Sequence, residues 1–149
     1  MSIHQLSEHL WRVDDSCNVY LIKRGDRAVA IDFGSGSWLD ALGDLGVKHL
    51  DHVFLTHHHA DQCHGLRDGA PDGVVVHAPS GNEPFLDPNH MEAESFNRFG
   101  KGCPSSYLVL KSGIPSVTFD MSGFTRFYWE ESVLRFIHTP GHGPNAISV

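Results

Sequence analysis

The sequence predicts an α/β fold, and three observations lead to it. Short apolar runs of strand length recur along the chain, one stretch between them repeats its apolar residues with helical spacing, and glycine-bearing turns separate the two kinds of segment. Strand, helix and strand in that order suggest a sheet with helices on its faces. With 149 residues, 40% hydrophobic and 19% charged, the chain suits one domain, 1–149, with a real core.

The first clear element is a hairpin. "NVYLIKRGDRAVAIDFGSG" reads as two strands around the turn Arg24-Gly25-Asp26, with Val19, Leu21 and Ile22 in the first and Ala28 to Phe33 in the second. Gly34 and Gly36 then break the pattern. Trp38, Ala41, Leu42 and Leu45 recur at i, i+3, i+4 and i+7, which predicts an amphipathic helix over Ser37–Leu45, capped by Ser37 and stopped by Gly46. "DHVFLT" is a short, apolar, buried strand, and "GVVVHA" is another. From Pro79 to Ser106 the composition shifts to Pro, Gly, Asn and Ser with scattered aromatics, a texture that usually carries function or motion. Pro88 is placed to start a helix through Phe99, with Met91 and Phe99 near one face. "SVTFD" and "TRFYWEESVLRFIHT" restore strand character, turning at Glu130-Glu131, and the chain reaches Val149 in what reads as the start of another strand.

Charge and cysteines bound the function classes. A formal charge of −7 argues against a polyanion, so a small-molecule substrate is expected and nucleic acid is not. Cys17, Cys63 and Cys103 are an odd number in an ordinary chain, which reads as reduced thiols in the cytoplasm. The N-terminus is polar, without an apolar signal-peptide core, and no run approaches the roughly 18 apolar residues of a membrane span.

The twelve histidines are the outlier, and four of them fall in "LTHHHADQCHG", Leu55 to Gly65. Leu55 and Thr56 end a strand, so the histidine run lies at the carboxyl edge where α/β sheets bind ligands. In extended chain, residues two apart point the same way, so His57, His59 and Asp61 can converge while His58 and Ala60 face elsewhere. Two imidazoles and a carboxylate suit zinc or iron and leave a coordination position open. A bare His-x-His-x-Asp also fits solvated loop residues. The buried strand before it, and a second tagged histidine in "HTPGH", favour a site.

With these two segments the chain resembles the metallo-β-lactamase superfamily, which carries Thr-His-x-His-x-Asp-His after a strand and Pro-Gly-His at the end of a later one. Here they read Thr56-His57-His58-His59-Ala60-Asp61-Gln62 and Thr139-Pro140-Gly141-His142. The opening hairpin, with Asp32 and Gly34, is similar too, and the likeness spans residues 13 to 149. The resemblance implies an αββα sandwich whose N-terminal half is fully present. It implies that His57, His59 and His142 hold a first metal, and that Asp61 binds a second or orients the attacking water. Asp32 would brace the loop, or merely cap a strand end. The implied activity is hydrolysis of a small acyl substrate (thioester, lactone or other ester) through a metal-bound hydroxide, with zinc as the ion. Two alternatives stay open: a mononuclear iron oxidoreductase of the persulfide dioxygenase kind, and a metal-binding protein without turnover.

Two departures from the family pattern matter. Gln62 stands where the second-site histidine is usual, so one tightly held metal per chain is expected, unless Cys63 or His64 compensates. The family's bridging aspartate and final histidine would lie beyond Val149, so the chain reads as an N-terminal portion whose exposed half-core invites a second copy. Phe85, Phe96, Phe99 and Tyr107 could wall a pocket or form a satellite core. The remaining histidines, His4, His9, His49, His52, His77, His90 and His138, carry no assigned role.

Overall fold

Seven strands form one mixed sheet whose spatial order follows the chain: β1 (Ser2–Ser7), β2 (Leu10–Asp14), β3 (Asn18–Arg24), β4 (Arg27–Ile31), β5 (His49–Phe54), β6 (Val75–Pro79) and β7 (Val117–Met121). The computed structural model describes residues 1–102, 117–121 and 126–149. β1 to β4 run antiparallel through tight turns, whereas β4 to β7 are parallel neighbours. Parallel pairing forces long crossovers, and these carry every helical segment among the described residues. They hold a 3-10 turn at Ser37–Ala41, helix α1 (Ala60–Cys63), a second 3-10 turn at His64–Leu66, and helices α2 (Glu83–Leu86) and α3 (Pro88–Phe99). No helix among the described residues is long and apolar enough to cross a membrane.

Consecutive residues of a strand face opposite ways, and here both faces are covered. Ala30, Val53, Leu55, Val76 and Ala78 point to the helical side, where they meet Phe33, Trp38, Cys63, Leu66 and Leu86. Val29 and Phe54 point to the other side, against Trp129, Leu134, Phe136 and Ile147. Those residues come from two further hairpin-like pairs, β8 (Arg126–Trp129) with β9 (Ser132–Arg135), and β10 (Ile137–His138) with β11 (Ile147–Ser148), and from Phe136 between them. Burial on both faces is why β4 carries the apolar run Ala28 to Ile31 and why β5 ends in the buried pair Val53-Phe54. The layers are helices, a large sheet and the beginning of a second sheet, the N-terminal part of an αββα sandwich. Between β2–β4 and β9–β10 an apolar cavity of about 600 Å³ remains, lined by Leu10, Ile22, Ile31 and Val133 and reaching Asp32 and Thr56.

Two expectations need correction. The predicted helix over Ser37–Leu45 forms only its first turn, as a 3-10 helix, and Gly36 rather than Ser37 occupies the cap. The Ser37 hydroxyl instead donates to Asp15 Oδ2 at 3.2 Å. Bonds of the i to i+3 kind continue from Leu42 to Leu39 and from Leu45 to Leu42. That tighter winding gives a period of three, so Leu39, Leu42 and Leu45 meet the core on one side. Gly43 in mid-segment removes the incentive for an α-helix. Gly46 does stop the segment, with φ +68°. Secondly, β1 carried no strand signal, because five of its six residues are exposed and only pairing with β2 holds it. The helix from Pro88 forms as expected, capped by Asp87 accepting from Asn89 N at 2.9 Å, but Phe96 and Phe99 lie exposed upon it. Tyr107 and Cys103 lie outside the described residues.

Candidate metal centre

β4 and β5 end side by side, and their last turns build the site's foundation. Asp32 follows β4 with φ +61°, a left-handed conformation that aspartate tolerates better than most residues. From there its carboxylate reaches Thr56, accepting from the backbone N at 2.8 Å and from Oγ1 at 2.9 and 3.0 Å. Thr56 Oγ1 lies 2.9 Å from His57 Nδ1. A threonine hydroxyl has one proton, and once Asp32 is ionised, above its pKa of about 7, that proton goes to the carboxylate. His57 then donates from Nδ1, which leaves the lone pair on Nε2. That nitrogen is buried and has no hydrogen-bond partner.

Two more imidazoles complete the group. His59 Nδ1 and His142 Nε2 stand 2.9 Å apart, and one ring nitrogen from each of His57, His59 and His142 lies within 4.8 Å of the others. His59 sits in extended backbone just before α1. His142 arrives on the loop between β10 and β11, which Ile147 N fixes to Thr56 O at 3.0 Å. An orphaned buried nitrogen facing two further imidazoles is a donor set that fits a divalent ion such as zinc or iron. Burial pushes the pKa of His57 down to about 4, with His59 and His142 adding to the effect and Asp61 opposing it. His58 is likewise held at about 4, and His59 is lowered, again mainly by burial. His57 therefore stays neutral and able to bind a cation at ordinary pH.

These shifts set a pH dependence for the metal-free protein. A histidine held at about 4 binds fewer protons folded than unfolded, so His57 and His58 add stability as pH rises from about 4 towards 6.5. Asp32 opposes them, since burial raises its pKa to about 7 and its folded form is more protonated than the unfolded one over that window. Two histidines outweigh one aspartate. The urea midpoint of chelator-treated protein should therefore rise between pH 4.5 and 6.5, and a falling midpoint would contradict the buried, neutral state of these rings.

Asp61 does not join the three rings. At Ala60 the chain turns into α1, so the two-residue period that aligns His57 with His59 stops before Asp61. The Asp61 carboxylate instead accepts from the Gln62 amide at 3.1 Å, and its carbonyl accepts from Ser16 Oγ at 2.8 Å. Its charge only opposes the lowering of the His57 and His59 pKa values that burial imposes. Gln62 contributes its carbonyl, which receives the backbone N–H groups of Phe33 and Gly34, both at 2.8 Å. Cys63 packs in the core with its thiol directed at His59 O, 3.2 Å away, and burial raises its pKa. Burial also lifts the Cys17 thiol, up to about 12. His64 turns its Nδ1 back to Ala60 O at 2.9 Å. Neither Cys63 nor His64 reaches the cluster. His138 lies near Pro144 O and is not part of the three-imidazole group.

The family model of the metallo-beta-lactamase superfamily matches residues 12–149. The chain belongs to this superfamily. Among curated proteins it is similar to "Probable metallo-hydrolase YqjP" of Bacillus subtilis, with 35% identity over 89 residues covering 54% of this chain and 27% of that protein. Among solved structures it is similar to BJP-1, a subclass B3 metallo-β-lactamase of Bradyrhizobium japonicum, with a TM-score of 0.70 and 19% identity over 99% of this chain and 55% of that one. The metallo-β-lactamase of Cronobacter sakazakii described by its HARLDQ motif gives a TM-score of 0.72 at 19% identity, over 99% and 58%. The chain thus spans about a quarter of the curated relative and a little over half of these structures. Phe85 is the site residue that sequence reasoning left undecided. It stacks on His58, and no local pattern marks it apart from other aromatics in its segment.

Proposed function

We propose that the chain carries the metal-binding half-site of a hydrolase that acts on a small acyl substrate, a thioester, lactone or other ester, with one zinc ion. The observation that carries this reading is the buried, unpartnered His57 Nε2 facing His59 and His142. Those three residues would hold the ion. Bound there, zinc lowers the pKa of a water towards ~7 and polarises a carbonyl oxygen. Asp61 orients the attacking water and takes its proton, and the Gln62 amide holds that carboxylate in place. Gln62 is a poor ligand for a second ion, so the site works with one. The Cronobacter motif also closes on Asp-Gln, as Asp61-Gln62 do, which supports Gln62 being compatible with a site of this kind. The acidic charge supports a small molecule over a nucleic acid, and the odd cysteine count supports a cytoplasmic setting.

The test is turnover of a panel of thioesters, lactones and aryl esters by chelated protein reloaded with zinc or with iron. Hydrolysis restored by zinc is expected. Asp61→Asn should lower kcat about 10²- to 10⁴-fold, the range for losing a general base, while zinc retention stays unchanged. Oxygen consumption with a persulfide by the iron-loaded protein, and no ester hydrolysis with zinc, would replace this reading with the oxidoreductase one. Metal binding without turnover of any panel member would make it a binding protein.

A further inference from the structure

His58 is the middle residue of the histidine run and the one not aimed at the shared point. Its ring lies flat on Phe85 of α2, with centroids 4.4 Å apart and planes 22° from parallel. It meets the ring of His59 edge to face, at 4.8 Å and 72°. Across from these, a methyl group built on Gly143 would stand 3.7 Å from His58 Cε1 and 3.8 Å from His57 Cβ. One imidazole therefore touches helix α2 and the ring of His59, while the space beside Gly143 would still take a methyl group at ordinary contact distance. His59 in turn meets His142, 83 residues away in sequence, with their ring nitrogens 2.9 Å apart.

A second tie joins the same elements. Asn145 Nδ2 donates to Gly81 O at 3.0 Å, fastening the His142 loop to the turn that precedes α2. Helix α2 is in turn anchored by Leu86, which is 2% exposed in the main core. The wall against which His58 stacks is therefore fixed independently of the histidines. His58 Nδ1 is buried without a hydrogen-bond partner. Burying a polar atom in this way is unfavourable, so packing and not hydrogen bonding sets the ring's position.

We propose that His58, held between the rings of Phe85 and His59, is a positioning residue that sets the separation of His59 from His142 and so assembles the metal site. The inference rests on the proposed metal site. Flattened against Phe85, the ring keeps the loop 57–59 from collapsing towards α2, to whose preceding turn Asn145 fastens the His142 loop. A phenylalanine ring would fill the same wedge, whereas alanine would leave the two loops without a spacer.

Cobalt(II) titration of the 149-residue chain tests this, reading affinity by chelator competition and site geometry from the visible spectrum. His58→Ala should weaken binding about 10- to 100-fold, the range seen when residues supporting a metal ligand are lost, and should alter the spectrum. His58→Phe should bind within about threefold of the parent chain with the parent spectrum, because the stack is kept. Phe85→Leu, which leaves the histidine run intact, should weaken binding in the same direction as His58→Ala and serves if that variant does not fold. Parental affinity and spectrum in His58→Ala or Phe85→Leu would overturn the proposal. So would equal losses in His58→Ala and His58→Phe, since the ring stack would then not be the agent. Failure of the parent chain to bind cobalt would instead overturn the metal reading itself, and the positioning role with it.

Discussion

Replacing His142 by alanine should cut the metal retained after dialysis from about one equivalent per chain to less than about a tenth, because a two-imidazole remnant is not a strong site. The ring is exposed and comes from the β10–β11 loop, so its loss removes a ligand without opening the core. Unfolding of the metal-free variant should stay close to the parent, within the ±0.5 kcal/mol or so usual for surface substitutions. Gln62→His is the companion experiment. It should leave retention at about one equivalent, since Asp61 and a new imidazole are still too few for a second strong site. Elemental analysis checks both. Two equivalents in the parent chain would mean that a partner copy supplies ligands, because Cys63 and His64 are directed at the carbonyls of His59 and Ala60.

That experiment also separates what the sequence made legible from what it did not. His57, His59 and His142 were implied as a set by the resemblance to the metallo-β-lactamase superfamily, whose two motifs they occupy, and the structure brings the three together. The place of Asp61 could not be read from its spacing. A period of two holds only while the chain is extended, and the extended run ends at His59. Strand β4 was visible through its apolar run and β5 through its apolar end at Val53 and Phe54. By contrast, β1 was hidden because an exposed edge strand has no apolar alternation to show. The segment after Gly36 had the right apolar residues for a helix, but a spacing of i, i+3 and i+4 does not distinguish a short 3-10 turn from two turns of α-helix. Gly43 tipped it towards the former. The wedge formed by His58 and Phe85 depends on contact between residues 27 apart, which no local pattern encodes.

Gly65→Ala should be the most damaging small substitution near the site, and its effect arises from backbone packing alone. Gly65 N donates to Gly34 O at 2.8 Å, and Phe33 N and Gly34 N donate to Gln62 O at the same distance. These bonds lash the histidine-bearing segment to the turn after β4 so closely that a methyl group on Gly65 would run into the carbonyl of Ser35 and stand 2.8 Å from Gly36 N. The obstacles are backbone atoms of a turn that Asp15 also holds, through Ser35 N at 3.1 Å and Ser37 Oγ at 3.2 Å, so they cannot swing aside as a side chain could. Overpacking of this kind costs about 1–3 kcal/mol, which for a domain of this size lowers Tm by several degrees. Gly143→Ala is the control on the other side of the site. Its methyl group would meet nothing nearer than 3.7 Å, an ordinary contact distance, so its Tm should stay within about 1–2 °C of the parent. Thermal unfolding of the two metal-free variants decides the matter. A Gly65→Ala chain as stable as Gly143→Ala would mean that the 33–37 turn yields to the methyl group. The turn would then be free to move, and the support that Asp32 gives to Thr56 and His57 would have to survive that movement.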